Sequence, residues 1–170
     1  MSHQETSIRP LELSDKSALA KLANNKKVWD NLRDHIPFPY SEDDAEVFIN
    51  LSKNDNPTQN FGITYKGEIC GVIGLVAQKD VYRKSAEIGY WVGEPYWGKG
   101  IATKAVGLIT AYGFDKLHLV RIYAGVFEFN VASMTVLEKN EYINEGVFKN
   151  AIFKNGKMYN EHRYYKLNKE

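Results

Sequence analysis

The apolar positions of this chain change period several times, and each change marks an element. "SIRPLELSD" alternates briefly and predicts a first strand ending at a helix cap, Ser14 or Asp15. In "DKSALAKLA" the apolar residues fall at helical spacing. Pro37 and Pro39 forbid a helix across "DHIPFPY". Ser41 then caps a helix, with Asp44 three residues on as a shortened capping box, and Ala45, Phe48 and Ile49 form its apolar face. "NFGITYKGEICGVIGLV" reads as two strands around the turn Lys66-Gly67, and "KSAEIGYWVG" as another strand. "GIATKAVGLITAYGFDKL" predicts a helix with Ile101, Ala105, Leu108, Ile109 and Tyr112 on one side. "LVRIYAGVF" is a strand, and "NVASMTVLEKN" a short helix opened by Asn130. A final hairpin turns at Lys154-Asn155-Gly156-Lys157. The order β, α, α, β, β, β, α, β, α, β, β is that of a mixed α/β domain with a strand–helix–strand crossover in its second half.

The 170 residues suit one domain, 1–170, and the 44% hydrophobic content supports a core. A net charge of +1 argues against a nucleic-acid partner. Basic pairs such as Lys26-Lys27 read as solvated surface. The lone cysteine, Cys70, excludes an intrachain disulfide and a cysteine metal cluster, and its apolar setting marks a buried structural thiol. Four scattered histidines give no metal-gripping pair, so no metal is expected. No leader-like apolar stretch opens the chain and no membrane-length run occurs, so a soluble cytoplasmic protein without a membrane partner is expected.

The segment "EPYWGKGIATKAV" raises the chemical question. A strand, a glycine loop and a helix follow one another, and a helix N-terminus preceded by glycines suits a phosphate. Gly93 to Gly100 nearly matches the nucleoside-triphosphate loop, but Gly100 replaces the hydroxyl that would hold magnesium. The dinucleotide fingerprint fails as well, because Thr103 stands at its third glycine. The third candidate is the pyrophosphate of coenzyme A. "YWVGEPYWGKGIATKAV" resembles the acyl-CoA-binding segment of the GNAT superfamily of N-acetyltransferases, whose pattern [QR]-x-x-G-x-[GA] falls on Trp97-Gly98-Lys99-Gly100-Ile101-Ala102. Trp97 departs from Gln or Arg in a way that resembles the branch of ribosomal-protein N-terminal (alanine) acetyltransferases. "IPFPYSEDDAEVFI" and "NVASMTVLEK" resemble further family segments, in the right order, so the likeness runs from Ile8 to about Leu167.

The resemblance implies the GNAT fold, a mostly antiparallel mixed sheet with splayed central strands flanked by helices. It implies acetyl-CoA as cosubstrate, with Tyr90, Trp91 and Val92 along the pantetheine arm. The N–H groups of Gly98, Lys99, Gly100, Ile101 and Ala102 would hold the pyrophosphate, with Thr103 and Asn130 alongside. The Lys99 side chain either adds charge or points to water. The chemistry is attack of an amine on a thioester, which needs a base for the ammonium proton. Glu87, an acid in an otherwise apolar strand, is the candidate base; a solvent-facing role is its alternative, and Glu94 and Glu138 are weaker choices. The tyrosine many family members place in the last helix is Leu137 here, which cannot donate, and the related branch offers Ser133 instead as proton donor to the thiolate or as a hydrogen bond to the thiol. A backbone N–H near Val92 would face the oxyanion.

The amine acceptor is less defined by sequence. The branch implies a protein N-terminal α-amine, with small amines and polyamines as alternatives, and a non-catalytic acyl-CoA sensor as a different class. The acceptor loop would span Trp29 to Tyr40 together with the hairpin near Lys154 to Tyr159. Arg33, Asp34 and His35 read as polar contacts or plain surface, and Phe38, Tyr40 and Tyr159 as acceptor mouth or packing. Where the family has a glycine after the last helix this chain has Glu141, and Asn140 is expected to take the left-handed conformation in its place. The tyrosine-rich C-terminal strand offers an edge for pairing, so monomer and homodimer both stay open.

Overall fold

The computed structural model describes residues 5–169. The expectation of no leader segment concerns in part residues 1–4, outside the described residues. Among the described residues no helix is long and apolar enough to cross a membrane. The elements are β1 (Thr6–Pro10), α1 (Lys16–Ala23), α2 (Lys26–Trp29), α3 (Glu42–Lys53), β2 (Asn60–Tyr65), β3 (Glu68–Ala77), β4 (Ser85–Val92), α4 (Ile101–Asp115), β5 (Arg121–Phe127), α5 (Val131–Lys139), β6 (Ile143–Lys154) and β7 (Lys157–Leu167). The expected order holds, with the single-turn α2 added. Four residues are too few to show a helical period, so α2 left no apolar signature in the sequence.

Local chemistry explains most boundaries. At both predicted hairpin turns the two central residues take positive φ: Lys66 and Gly67 at 51° and 86°, Asn155 and Gly156 at 50° and 76°. That geometry matches the right-handed twist of the strands it joins. Ser41 Oγ accepts the Asp44 N–H at 3.2 Å and the Asp44 carboxylate accepts the Ser41 N–H at 2.8 Å, completing the capping box of α3. The entry to α1 differs from expectation. Glu12 opens a single 3₁₀ turn, Leu13–Asp15, and neither Ser14 nor Asp15 caps α1 with its side chain. Asp15 instead reaches back to the Glu12 N–H at 2.9 Å and pairs with Arg9 at 2.7 Å. After α5 it is Glu141, at φ 63°, that adopts the left-handed conformation expected of Asn140. Asn140 stays at φ −96° because its side-chain amide is tied to the carbonyls of Thr103 and Val136, at 3.0 and 2.9 Å.

Among the described residues seven strands form one sheet in the order β1-β2-β3-β4-β5-β7-β6, antiparallel everywhere except between β4 and β5. Helices cover both faces. One core packs α4 and α5 residues such as Ile101, Ile109 and Leu137 against Ile73, Leu75, Ile88 and Ile122 of the sheet. The other packs Leu19 of α1 and Ala45 and Ile49 of α3 against Ile69 and Val72 of β3. On α4 the buried stripe is Ile101, Ala105, Val106, Ile109, Thr110 and Gly113; Leu108 and Tyr112, expected on it, are only half-buried.

The parallel pair carries the functional geometry. β4 and β5 pair only at Ser85↔Arg121, Ala86↔Ile122 and Glu87↔Tyr123. Beyond that point β4 keeps its pairing with β3 to Val92 and β5 keeps its pairing with β7 to Phe127, so the two middle strands part toward their C-terminal ends. The expected splay is therefore present at "GYWVG" and "IYAGV".

Cys70 is fully buried on β3, with Sγ 3.3 Å from the Ile63 carbonyl, and burial pushes its thiol up to about 11. The thiolate is the reactive form. Native protein at pH 8 should therefore resist iodoacetamide over hours and take up one equivalent on denaturation, read by intact mass.

Candidate active site

Each splayed strand runs directly into a helix start. β4 leads through Gly93–Gly100 into α4, and β5 leads through Glu128–Asn130 into α5, so both helix N-termini stand at the open end of the gap. Ligands of α/β sheets gather at such C-terminal strand ends.

The loop before α4 is shaped by two glycines. Gly98 and Gly100 both have φ of 74°, where a Cβ crowds the following carbonyl, and Gly100 is the N-cap of α4. The N–H groups from Gly98 to Thr103 have no hydrogen-bond partner among the described residues; the helical ladder begins with Lys104 donating to the Gly100 carbonyl at 3.1 Å. A run of unpartnered donors at the positive end of a helix is a receptor for an anion. Trp97, half-exposed, closes this loop: its Nε1 donates to the Val92 carbonyl at 2.7 Å. Lys99 is exposed and borders the loop's cleft. Its ammonium sits 5.6 Å from the ring centres of both Tyr65 and Tyr96.

A cleft of about 670 Å³ follows the gap from this loop, walled by Tyr90, Trp91, Val92, Trp97 to Thr103, Asn130 and Ser133 among others. All the residues expected to hold the cofactor therefore border one space. Its size and its donor loop fit the pantetheine and pyrophosphate of coenzyme A. The main chain of β4 fits as well. The Gly93 N–H bonds the Cys70 carbonyl of β3 at 2.8 Å. Strand alternation then turns the N–H groups of Tyr90 and Val92 to the other side, toward the gap where no strand pairs.

A second, smaller cleft of about 260 Å³ opens on the far side, bounded by Arg33, His35, Asn60, Glu87 and Phe127 among others. The two clefts share Asn31, Leu32, Tyr90, Trp91, Asn130 and Ser133. At this junction the Tyr90 hydroxyl lies 2.7 Å from Ser133 Oγ and 3.3 Å from the Ser133 carbonyl. Burial raises the Tyr90 phenol well above its ordinary value, and the Ser133 contact offsets only part of that. Tyr90 therefore stays a neutral donor. Asn130 caps α5 as expected, its Oδ1 accepting the Ser133 N–H at 3.2 Å, and so fixes where Ser133 stands.

Glu87 borders the smaller cleft only, with its side chain 20% exposed and its carboxylate in an ion pair with Arg33. It is neither a free surface acid nor an acid among apolar groups alone. The two weaker candidates are occupied elsewhere. Glu94 accepts from Asn25 and Lys27, which hold its carboxyl below the usual range. Glu138 is exposed and accepts from Tyr164 at 2.9 Å.

Of the expected acceptor-loop residues, Arg33 and His35 border the cleft. Asp34 instead accepts from Lys154 Nζ at 2.7 Å, Phe38 stacks on Trp29 at 5.4 Å, Tyr40 packs against the α1–α3 core, and Tyr159 meets Phe129 edge-on at 4.9 Å. Three contacts escaped the sequence reading: Arg33 with Glu87, Tyr90 with Ser133, and the burial of Lys154 against Trp29. Each joins residues far apart in the chain and has no local signal.

A mixed sheet parted between two parallel strands, with an anion loop at one mouth and a carboxylate at the other, defines an acyl-CoA-dependent acyltransferase. Comparison with known proteins agrees. Residues 6–143 match the acetyltransferase (GNAT) domain model. An uncharacterized N-acetyltransferase of Bacillus subtilis is 32% identical over 96% of this chain and 94% of its own. A spermidine N-acetyltransferase from Vibrio cholerae, solved with CoA and spermine, superposes with TM-score 0.82 at 25% identity, covering 97% of this chain and 96% of its own. A ribosomal-protein alanine acetyltransferase from Vibrio fischeri shares the fold, with TM-score 0.83 at 21% identity over 99% of this chain and 96% of its own. The chain belongs to the GNAT N-acetyltransferases and is an acetyl-CoA-dependent enzyme.

The loop geometry makes Gly100→Ala informative. Alanine at φ 74° costs about 1 kcal/mol. The variant should lose that stability in urea unfolding, and calorimetry should show CoA affinity down by about fivefold or more as the N–H groups lose alignment.

Proposed function

We propose that this enzyme acetylates a primary α-amine, such as a protein or peptide N-terminus, by direct attack within a ternary complex. The observation that carries this reading is the meeting of the two clefts at Tyr90 and Ser133, with Glu87 on the wall of the smaller one alone. Acetyl-CoA enters from the α4 side and the amine from the Glu87 side.

In this reading each chain group has one task. Glu87 takes the ammonium proton, directly or through water, which frees the nitrogen lone pair. The Val92 N–H, turned into the gap, donates to the carbonyl oxygen as it gains charge. Ser133 gives its hydroxyl proton to the departing sulfur. Tyr90 donates to Ser133 Oγ and orients that hydroxyl toward the junction. The new C–N bond forms as the C–S bond breaks: Glu87 takes one nitrogen proton before the attack, and the second proton, shed by the acylated nitrogen, restores the hydroxyl that Ser133 spends on the sulfur.

Charge favours an α-amine over a polyamine. A polycation needs several carboxylates along its path, whereas the residues that bound this cleft include Glu87 as their one carboxylate, beside Arg33 and His35. An α-ammonium also releases its proton near pH ~8, about two units below an alkyl ammonium, an easier demand on a single base.

The decisive assay is acetyl-CoA turnover across free amino acids, polyamines and short peptides with free N-termini. Peptides should turn over fastest; preference for spermidine would overturn the acceptor assignment. Glu87→Gln should lower kcat by about 10²- to 10⁴-fold with acetyl-CoA affinity intact. Ser133→Ala should cost about tenfold, the scale of one hydrogen bond to a developing charge.

A further inference from the structure

The base of the acceptor cleft is already engaged in the free protein. Arg33 Nη2 contacts Glu87 Oε1, so a guanidinium stands where an incoming ammonium would have to dock. Arg33 is itself well exposed, at 57% of its side chain, while Glu87 is mostly covered. Only one partner needs to move to open the pair, and water lies at its back.

The loop that carries Arg33 is held on both sides of it. Asp30 accepts from Lys26 at 2.6 Å and from Asn155 of the β6–β7 turn at 2.9 Å. Asp34 accepts from Lys154 at 2.7 Å. Lys154 is almost fully buried, with Nζ 3.3 Å from the centre of the Trp29 ring, and Trp29 Nε1 donates to the Ile36 carbonyl at 2.8 Å. The hairpin tip thus clamps residues 29–36 from behind. With its backbone pinned, Arg33 has the freedom of its side chain alone.

We propose that Arg33 is an internal stand-in for the acceptor ammonium: it holds the Glu87 carboxylate in the free enzyme and swings out to solvent when the amine binds. This rests on the reading of Glu87 as base. Arg33 is then a positioning residue that sets the acceptor's apparent affinity and leaves the acetyl-CoA side untouched. Opening a half-exposed ion pair is a small task, so the effect on affinity is modest.

The test compares wild type, Arg33→Met, Arg33→Lys and Glu87→Gln, together with the Arg33→Met/Glu87→Gln double variant. Steady-state kinetics use the best amine of the panel above. Arg33→Met should lower the amine KM by about two- to fivefold at unchanged acetyl-CoA KM. Arg33→Lys should restore wild-type behaviour, and in the Glu87→Gln background the Arg33 substitution should have no effect on amine KM. An amine KM that is unchanged or raised in Arg33→Met overturns the stand-in. A Glu87→Gln enzyme with full kcat overturns the base reading instead, so the two failures are distinguishable. A second measurement needs no acceptor. Carbodiimide coupling to glycine methyl ester, mapped by peptide mass, should label Glu87 faster in Arg33→Met than in wild type. Equal labelling overturns the proposal.

Discussion

Everything at this site follows from a sheet that stops pairing in its middle. β4 and β5 are bonded over three residues and then part, while each keeps its outer neighbour. The parting therefore costs hydrogen bonds along one edge of each strand and leaves the strands themselves firm. Unpaired main-chain donors need partners. On the β4 side one carbonyl, that of Val92, is answered by the Trp97 indole, and the adjacent N–H groups turn into the gap. The parallel direction matters equally. A crossover is required between parallel strands, so β4 must be followed by a helix on the same side of the sheet, and β5 delivers a second helix to the same mouth. The binding site is the unsatisfied remainder of a β-ladder, flanked by two helix ends.

What the sequence revealed and what it hid divide along contact distance. Turns with Asn-Gly or Lys-Gly, the Ser41 capping box and the Asn130 cap are chemistry within four residues, and all appeared as expected. The glycine loop is equally local, since positive φ at Gly98 and Gly100 is a property of the chain there. Hidden were pairs assembled by the fold. Arg33 meets Glu87 across 54 residues, Tyr90 meets Ser133 across 43, and Lys154 meets Asp34 across 120. A lysine in a turn reads as solvent-facing, and only the approach of Trp29 converts it to a buried cation over an aromatic face. The Glu141 result has the same origin. Asn140 was the better left-handed residue on intrinsic grounds, yet contacts to Thr103 and Val136 held it in place.

The absent helix tyrosine illustrates how position and function separate. Leu137 is fully buried in the core, so no phenol reaches the junction from α5. A phenol arrives instead from β4, on Tyr90, and meets the serine that α5 does supply. In the proposed mechanism the requirement is a neutral hydroxyl donor at the strand junction. Burial keeps Tyr90 neutral, and the Asn130 cap sets the register of Ser133. On that proposal, two elements share a task that a single side chain could perform.

The two halves of the site are built from different materials. The acyl-CoA half is largely main chain: the N–H groups of a loop, a helix end and a splayed strand. Such donors are indifferent to most side-chain replacement, and their demands on sequence shrink to the glycines that let the backbone turn. The proposed acceptor half is side chain: Glu87, Arg33, His35 and Asn60 around a small cleft, with one wall on a loop clamped by a distant hairpin. Substitutions on that wall change charge and shape without disturbing the sheet. Under the proposed function, a fold divided this way can keep one donor and vary its amine.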